Sequence, residues 1–232
     1  MIPRAVLFDL DETLLTSDAD ECWRRILEQK FPGTRIFDGF LLSRDRFWHD
    51  PAGDSRAKLS IAQADTFILE KTLEACGIAD TSAAFETAAE VGQQIIESTR
   101  FFSGAREKLE EIRALGIPMG LITNGSQQRQ REKITQFGLE DFFASIVIEG
   151  EMGFGKPDLR VFQHALKMLD VVVDHRAWMV GDRLDFDVAP AQALGMRGIW
   201  RAHADTPRPV GSTAIPDLVL ASVSELILDD GL

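Results

Sequence analysis

The stretch Ala5-Val6-Leu7-Phe8-Asp9-Leu10-Asp11-Glu12-Thr13 sets an apolar run directly against three carboxylates within four residues. Like charges this close repel wherever water is thin, so something must offset them. Further polar groups with a capacity for chemistry follow at long spacing: Thr123-Asn124-Gly125, Lys156 within Gly155-Lys156-Pro157-Asp158, and Gly181-Asp182-Arg183-Leu184-Asp185-Phe186-Asp187. If these segments converge, Asp9, Asp11, Asp182 and Asp187 bring four negative charges to one pocket, with Lys156 the obvious cationic partner in the set. One lysine does not balance them. A divalent cation that prefers oxygen does, and Mg²⁺ fits because it accepts a few carboxylates together with waters and phosphate oxygens.

The elements that must position these residues are legible as alternating strands and helices. Ala5 to Phe8, Pro118 to Ile122, Ile146 to Ile148, Trp178 to Val180, Gly198 to Trp200 and Leu218 to Leu220 are short, continuous apolar runs, which predict strands buried on both faces. Between them lie amphipathic helices: one capped by Ser103 and running to the stop at Gly116, one through Ile134 and Phe137 to Gly138, one through Val161 to Leu169, and Val188 to Leu194 ending at Gly195. This order predicts an α/β fold, a parallel sheet with helices on both faces. In such sheets ligands bind beyond the carboxyl ends of the strands, where strand order reverses, and Asp9 and Asp182 each stand at such an end. Residues 16 to 100 carry helical patterns (Ser17 to Lys30, Lys58 to Cys76, Thr81 to Ser98) and no convincing strand, so they read as a helical insertion into a core made of residues 1–15 and 101–232.

Composition bounds the function classes. The chain has 232 residues, 45% of them hydrophobic, enough for a full core, and a formal net charge of -12. That charge argues against binding to nucleic acid or to an anionic membrane surface. No transmembrane span or signal-peptide core is expected, and two distant cysteines, Cys22 and Cys76, suit a reducing, cytoplasmic setting. Cys76 follows Ile61, Ala64, Ile68 and Thr72 at helical spacing, which predicts a buried helix face.

The motifs in this order resemble the haloacid dehalogenase (HAD) superfamily of phosphatases and phosphotransferases, in the branch with a helical cap between the first and second motifs. The matching residues are Asp9-Leu10-Asp11-Glu12-Thr13, then Thr123, then Lys156, then Asp182 with Asp187 five residues on. The resemblance implies a Rossmann-like core and an all-helical cap. It implies that Asp9 is the nucleophile forming an aspartyl-phosphate and that Asp11 protonates the leaving oxygen and then activates water. It implies Mg²⁺ held by the Asp9 carboxylate, the Asp11 main-chain carbonyl and the Asp182 carboxylate, with Asp187 supporting them from behind. Thr123 and the main chain beside Asn124 would hold phosphate oxygens, and Lys156 would neutralise charge on nucleophile and phosphate. Phe186 departs from the pattern, since relatives often have Asn or Thr there.

The implied activity is hydrolysis of a small-molecule phosphate monoester, with nucleoside monophosphates or sugar phosphates as thin suggestions from the Thr123 to Ile134 stretch. Hydrolytic dehalogenases resemble the chain but lack the second aspartate, because a halide leaves without a proton. A phosphosugar mutase and a non-catalytic phosphate-binding relative remain as alternatives. Phosphoserine-tail phosphatases lack so large a cap, and a receiver domain places its nucleophile on the third strand. Asp185 reads as a solvated acid and His49, His164, His175 and His203 as surface residues. The mixed segment Arg44, Arg46, Phe47, Trp48, His49, Arg56 and Lys58 reads as a solvated loop, with recognition of the leaving group as its alternative.

Overall fold

A computed structural model of the chain describes residues 2–49, 61–202, 208 and 212–228. The chain divides into two compact units, one made of Met1–Thr16 and Arg100–Leu232, the other of Ser17–Thr99.

In the first unit, β1 (Ala5–Phe8) leads into a turn and the short strand β2 (Leu15–Thr16). The second unit supplies helices α1 (Ala19–Lys30), α2 (Ile36–His49), α3 (Ile61–Ala75) and α4 (Ala84–Ser98). The chain re-enters the first unit at β3 (Arg100–Phe101), which pairs antiparallel with β2. Then come α5 (Ala105–Ala114), β4 (Met119–Thr123), α6 (Gln127–Gln136), β5 (Ser145–Ile148), α7 (Glu149–Met152) and α8 (Leu159–Met168). A π-helical turn at Leu184–Val188 separates β6 (Ala177–Gly181) from α9 (Ala189–Ala193), before β7 (Arg197–Arg201) and β8 (Leu218–Leu220).

Six strands form one parallel sheet in the order β5-β4-β1-β6-β7-β8. Each strand's alternation divides the core in two. Val6, Phe8, Trp178 and Val180 pack with Leu109 and Ile112 of α5 and Ile134 of α6, whereas Ala5, Leu7, Ala177 and Met179 pack with Val161, Phe162 and Leu166 of α8. Burial on both faces is why these strands read as unbroken apolar runs. The order steps outward from β1 through β4 to β5 and then outward on the other side through β6 to β8. The reversal therefore lies at β1, between β4 and β6. Register aligns the ends: Phe8 sits opposite both Leu121 and Val180, so Asp9, Thr123 and Asp182 fall within two residues of one edge.

The second unit has its own core, where Trp23 stacks on Phe40 with ring centroids 4.1 Å apart and Ile68, Leu69, Leu73, Ala88 and Val91 close around them. Three sequence expectations change here. Arg44, Arg46 and Phe47 lie on helix α2, not in a loop; Arg44 pairs with Asp20 at 2.6 Å and lies over the Phe40 ring. Arg56, Lys58 and His203 and the side chains of Trp48 and His49 lie outside the described residues. Ala64, Ile68 and Thr72 are buried as expected, but α3 ends at Ala75 and Cys76 is exposed, just ahead of Gly77 in a left-handed conformation. In the first unit, Ser103 does not cap α5, whose start is set by the left-handed Gly104. His164 and His175 are exposed. Among the described residues, no helix is long and apolar enough to cross a membrane.

Candidate active site

The loops leaving β1, β4, β5 and β6 meet at the carboxyl edge of the sheet. Asp9 follows β1 directly and is anchored by its own N–H, which donates to the Val180 carbonyl at 2.9 Å. Beyond it the chain makes a tight turn in which Leu14 and Leu15 N–H donate to the Leu10 carbonyl and Glu12 N–H donates to Leu15. Glu12 sits at φ 56, a left-handed conformation that a residue with a Cβ adopts at some cost. The Arg201 guanidinium, stacked 3.8 Å from the Phe102 ring centroid, donates to the Glu12 carbonyl and holds that turn.

Lys156 is the hub. Its Nζ lies 2.5 Å from Asp9 Oδ1 and 2.7 Å from Asp187 Oδ1, and all three side chains are almost fully buried. Asn124 positions it from β4: its Nδ2 donates to the Lys156 carbonyl and its Oδ1 accepts from the Lys156 N–H, each at 2.8 Å. Asp187 is held on its other oxygen by Arg183 N–H at 2.9 Å. Burial opposes charge on Lys156, but the Asp187 and Asp9 carboxylates outweigh it and hold the ammonium above the ordinary lysine value.

Asp9, Asp182 and Asp187 present carboxylate oxygens that all lie within 4.8 Å of one another. Burial pushes Asp9 up to about 6 despite the pull of Lys156. Burial, reinforced by the charges of Asp9 and Asp187, pushes Asp182 up to about 9. Three carboxylates this close form a donor set that is all oxygen, as Mg²⁺ requires. Asp187 has one oxygen on Lys156 and the other on Arg183 N–H, while Asp9 has Lys156 on Oδ1 and accepts from the Thr13 hydroxyl on Oδ2 at 3.3 Å.

Asp11 differs from its neighbours. Its carboxylate is absent from the acidic cluster and takes Lys133 Nζ on both oxygens, at 2.6 and 2.7 Å, with Gln130 Nε2 at 2.9 Å from Oδ2. Burial raises this carboxyl, but the Lys133 charge and the hydrogen bonds from Gln130 and Lys133 outweigh it and hold Asp11 below the usual value. Gln130 Nε2 also reaches the Thr123 hydroxyl at 2.6 Å and the Asn124 carbonyl at 2.7 Å. Lys156 thus faces Asp9 and Asp187, and Lys133 faces Asp11.

Lys133, Gln130 and Glu149 were not among the residues expected from sequence. A signal existed for the first two: Gln130, Lys133, Ile134 and Phe137 fall at the spacing of one buried helix face, and a polar residue on such a face needs a partner. Glu149, first residue of α7, accepts from the Gly125 N–H at 2.9 Å, and burial raises its carboxyl. Asp185 is exposed and accepts from Ser212, while Phe186 packs under the Arg183 guanidinium at 4.8 Å.

A sequence model for hydrolases described as haloacid dehalogenase-like matches residues 3–195. The chain is 35% identical over 156 residues to a phosphoserine phosphatase from Thermus thermophilus, covering 66% of this chain and 61% of that protein. It is 40% identical over 97 residues to a glyceraldehyde 3-phosphate phosphatase from Pyrococcus abyssi, covering 42% and 40% of the two chains. The matches thus span about 40–61% of the length of these relatives. A magnesium-bound HAD-hydrolase, YfnB from Bacillus subtilis, shares the fold over 97% of both chains with a TM-score of 0.78 at 19% identity.

Proposed function

Because the chain belongs to the haloacid dehalogenase-like hydrolases, we propose that it is a Mg²⁺-dependent phosphatase that hydrolyses a small-molecule phosphate monoester through an aspartyl-phosphate on Asp9. The observation that carries this reading is Asp11. A carboxylate two residues beyond the nucleophile, held by Lys133 and Gln130 outside the metal cluster, is available for proton transfer. Halide displacement has no use for it, since a halide departs without a proton. Ester cleavage does, because an alkoxide is a poor leaving group until it is protonated.

In the proposed reaction an Asp9 oxygen bonds to phosphorus as the ester P–O bond breaks, and Asp11, which must first take a proton from solvent against the pull of Lys133, gives that proton to the departing oxygen. Water then attacks phosphorus, Asp11 takes the proton released, and the Asp9–phosphate bond breaks to free inorganic phosphate. Lys156 holds the Asp9 carboxylate in place throughout and neutralises charge beside it. Thr123 and the main chain at Asn124 bind phosphate oxygens; the Thr123 hydroxyl accepts from Gln130 at 2.6 Å and donates to the Asn124 carbonyl at 3.3 Å, a long bond that it would exchange for one to phosphate. The Asp9 and Asp182 carboxylates and the Asp11 main-chain carbonyl would hold Mg²⁺, with Asp187 bracing Lys156 and the loop behind them. When bound, the cation supplies positive charge to the crowded carboxylates and to the phosphate. The helical unit Ser17–Thr99 contributes none of these groups and is proposed to select among substrates.

The two similar phosphatases named above act on small phosphorylated metabolites, which supports that substrate class without identifying the compound. The test is a panel of phosphate monoesters, including phosphoserine, triose phosphates, nucleoside monophosphates and sugar phosphates, together with a 2-haloacid, assayed with and without Mg²⁺. Release of inorganic phosphate that stops in chelator is the expected result. Halide release without phosphate release would overturn the proposal.

A further inference from the structure

We propose that Lys133, assisted by Gln130 one turn earlier on α6, is the positioning residue for the acid–base carboxylate of Asp11, an inference that rests on the phosphatase reading above. The geometry that points to it is a junction. Asp11 belongs to the turn after β1, outside any named strand or helix, and its side chain is 44% exposed. The tie comes from another element, α6, through both carboxylate oxygens. The same Gln130 nitrogen that reaches Asp11 reaches Thr123 and the Asn124 carbonyl. One helix thereby sets the distance between the proton-transfer group and the turn proposed to receive phosphate.

Stability alone does not account for this lysine. It is 8% exposed on a helix face shared with the fully buried Ile134, whereas its partner Asp11 is half-exposed, and an ion pair open to water adds little to stability. Keeping an ammonium there secures the placement of its partner. Proton transfer needs that placement, since an error of about 1 Å in a reacting group costs roughly 10²-fold in rate.

The test uses the full chain with Mg²⁺ and p-nitrophenyl phosphate, whose leaving group departs without a proton. Phosphorylation of Asp9 then makes little demand on Asp11, whereas attack by water on the phosphoenzyme still requires it as a base. Rapid mixing reads the first step as a burst of nitrophenolate and the second as the steady rate. In Lys133→Met, and in Lys133→Gln as a second variant, breakdown is expected to slow about 10²-fold and formation by less than about fivefold, giving a burst near one equivalent. Adding Lys133→Met to Asp11→Asn is expected to change breakdown by less than about twofold, because a residue acting through another has nothing left to act on. Parallel loss in both steps, a large further loss in the Asp11→Asn background, or a rise in KM with both rates preserved would each overturn the assignment. The unfolding midpoint of each variant separates misfolding from these outcomes. A wild-type chain that released no phosphate would instead refute the phosphatase reading itself.

Discussion

Gly181 closes β6 where an added methyl group has no room. A Cβ built there would stand 2.3 Å from Asp187 Cγ and Oδ2 and 2.5 Å from Asp187 Cβ. Carbon atoms in contact sit about 3.5–4.0 Å apart, so in Gly181→Ala the Asp187 side chain must retreat by roughly 1 Å or more. It cannot do so alone, because its two oxygens are bound to Lys156 at 2.7 Å and to Arg183 N–H at 2.9 Å. Overpacking costs about 1–3 kcal/mol, and losing a charge-assisted hydrogen bond adds about 1.5–3 kcal/mol. A total of about 4 kcal/mol corresponds to a fall of roughly 10 °C in Tm for a domain of this size. Lys156, released on one side, also loses its hold on Asp9, and a shift of about 1 Å there costs roughly 10²-fold in kcat/KM. Gly116→Ala is the control: Gly116 has φ 69 but nothing within 4 Å of its Cβ, and it precedes β4 at the opposite edge of the sheet. It is expected to cost about 1 kcal/mol and to leave activity intact. Thermal unfolding and kinetics on an aryl phosphate read both effects. A Gly181→Ala protein with wild-type Tm and kcat/KM would refute the reasoning.

Three other outcomes follow from the same geometry. In chelator, Tm should fall as pH rises from about 5 to 9, because Asp182 near 9 and Asp9 near 6 keep protons in the folded protein that the unfolded chain, with carboxyls near 3.8, has already released; added Mg²⁺ should raise Tm most at the alkaline end, and a flat profile would contradict the burial argument. Asn124→Ala leaves the Lys156 main-chain N–H and carbonyl without the partners they have at 2.8 Å, so the denaturant midpoint should drop by the equivalent of about 2–4 kcal/mol, and kcat/KM with it. Replacing Ser17–Thr99 with a short linker should preserve Mg²⁺-dependent hydrolysis of p-nitrophenyl phosphate and flatten the preference among metabolites; a folded variant with unchanged preference would place selectivity in the loops around Thr123 and Lys156.

Much of the sheet was legible because strands buried on both faces leave an unmistakable apolar trace, and the residues just beyond their ends are where parallel sheets do their chemistry. Thr123 closes β4, and Asp9, Lys156, Asp182 and Asp187 lie in the segments that follow β1, β5 and β6. What stayed hidden depends on tertiary contact. Lys133 sits in the polar stretch Gln127–Gln136, where a solvated face is the ordinary reading, and only the approach of Asp11 from 122 positions away gives its burial a reason. The stretch around Arg44 mixes cations and aromatics with no clean apolar period, yet it is helical because Phe40 and Phe47 find Trp23 and Phe67. Two-residue strands such as β2 and β3 have too few positions to show an alternation at all.

The central claim is that phosphate passes through Asp9, and trapping the phosphoenzyme tests it most directly. The full chain, mixed with a labelled phosphate monoester and Mg²⁺ and quenched in acid within milliseconds, should carry label on the peptide containing Asp9. The label should accumulate in Asp11→Asn, where an activated ester still phosphorylates the enzyme but water attacks slowly, and should be absent from Asp9→Asn. Phosphate release with no labelled enzyme at any time, or label that persists in Asp9→Asn, would contradict the account.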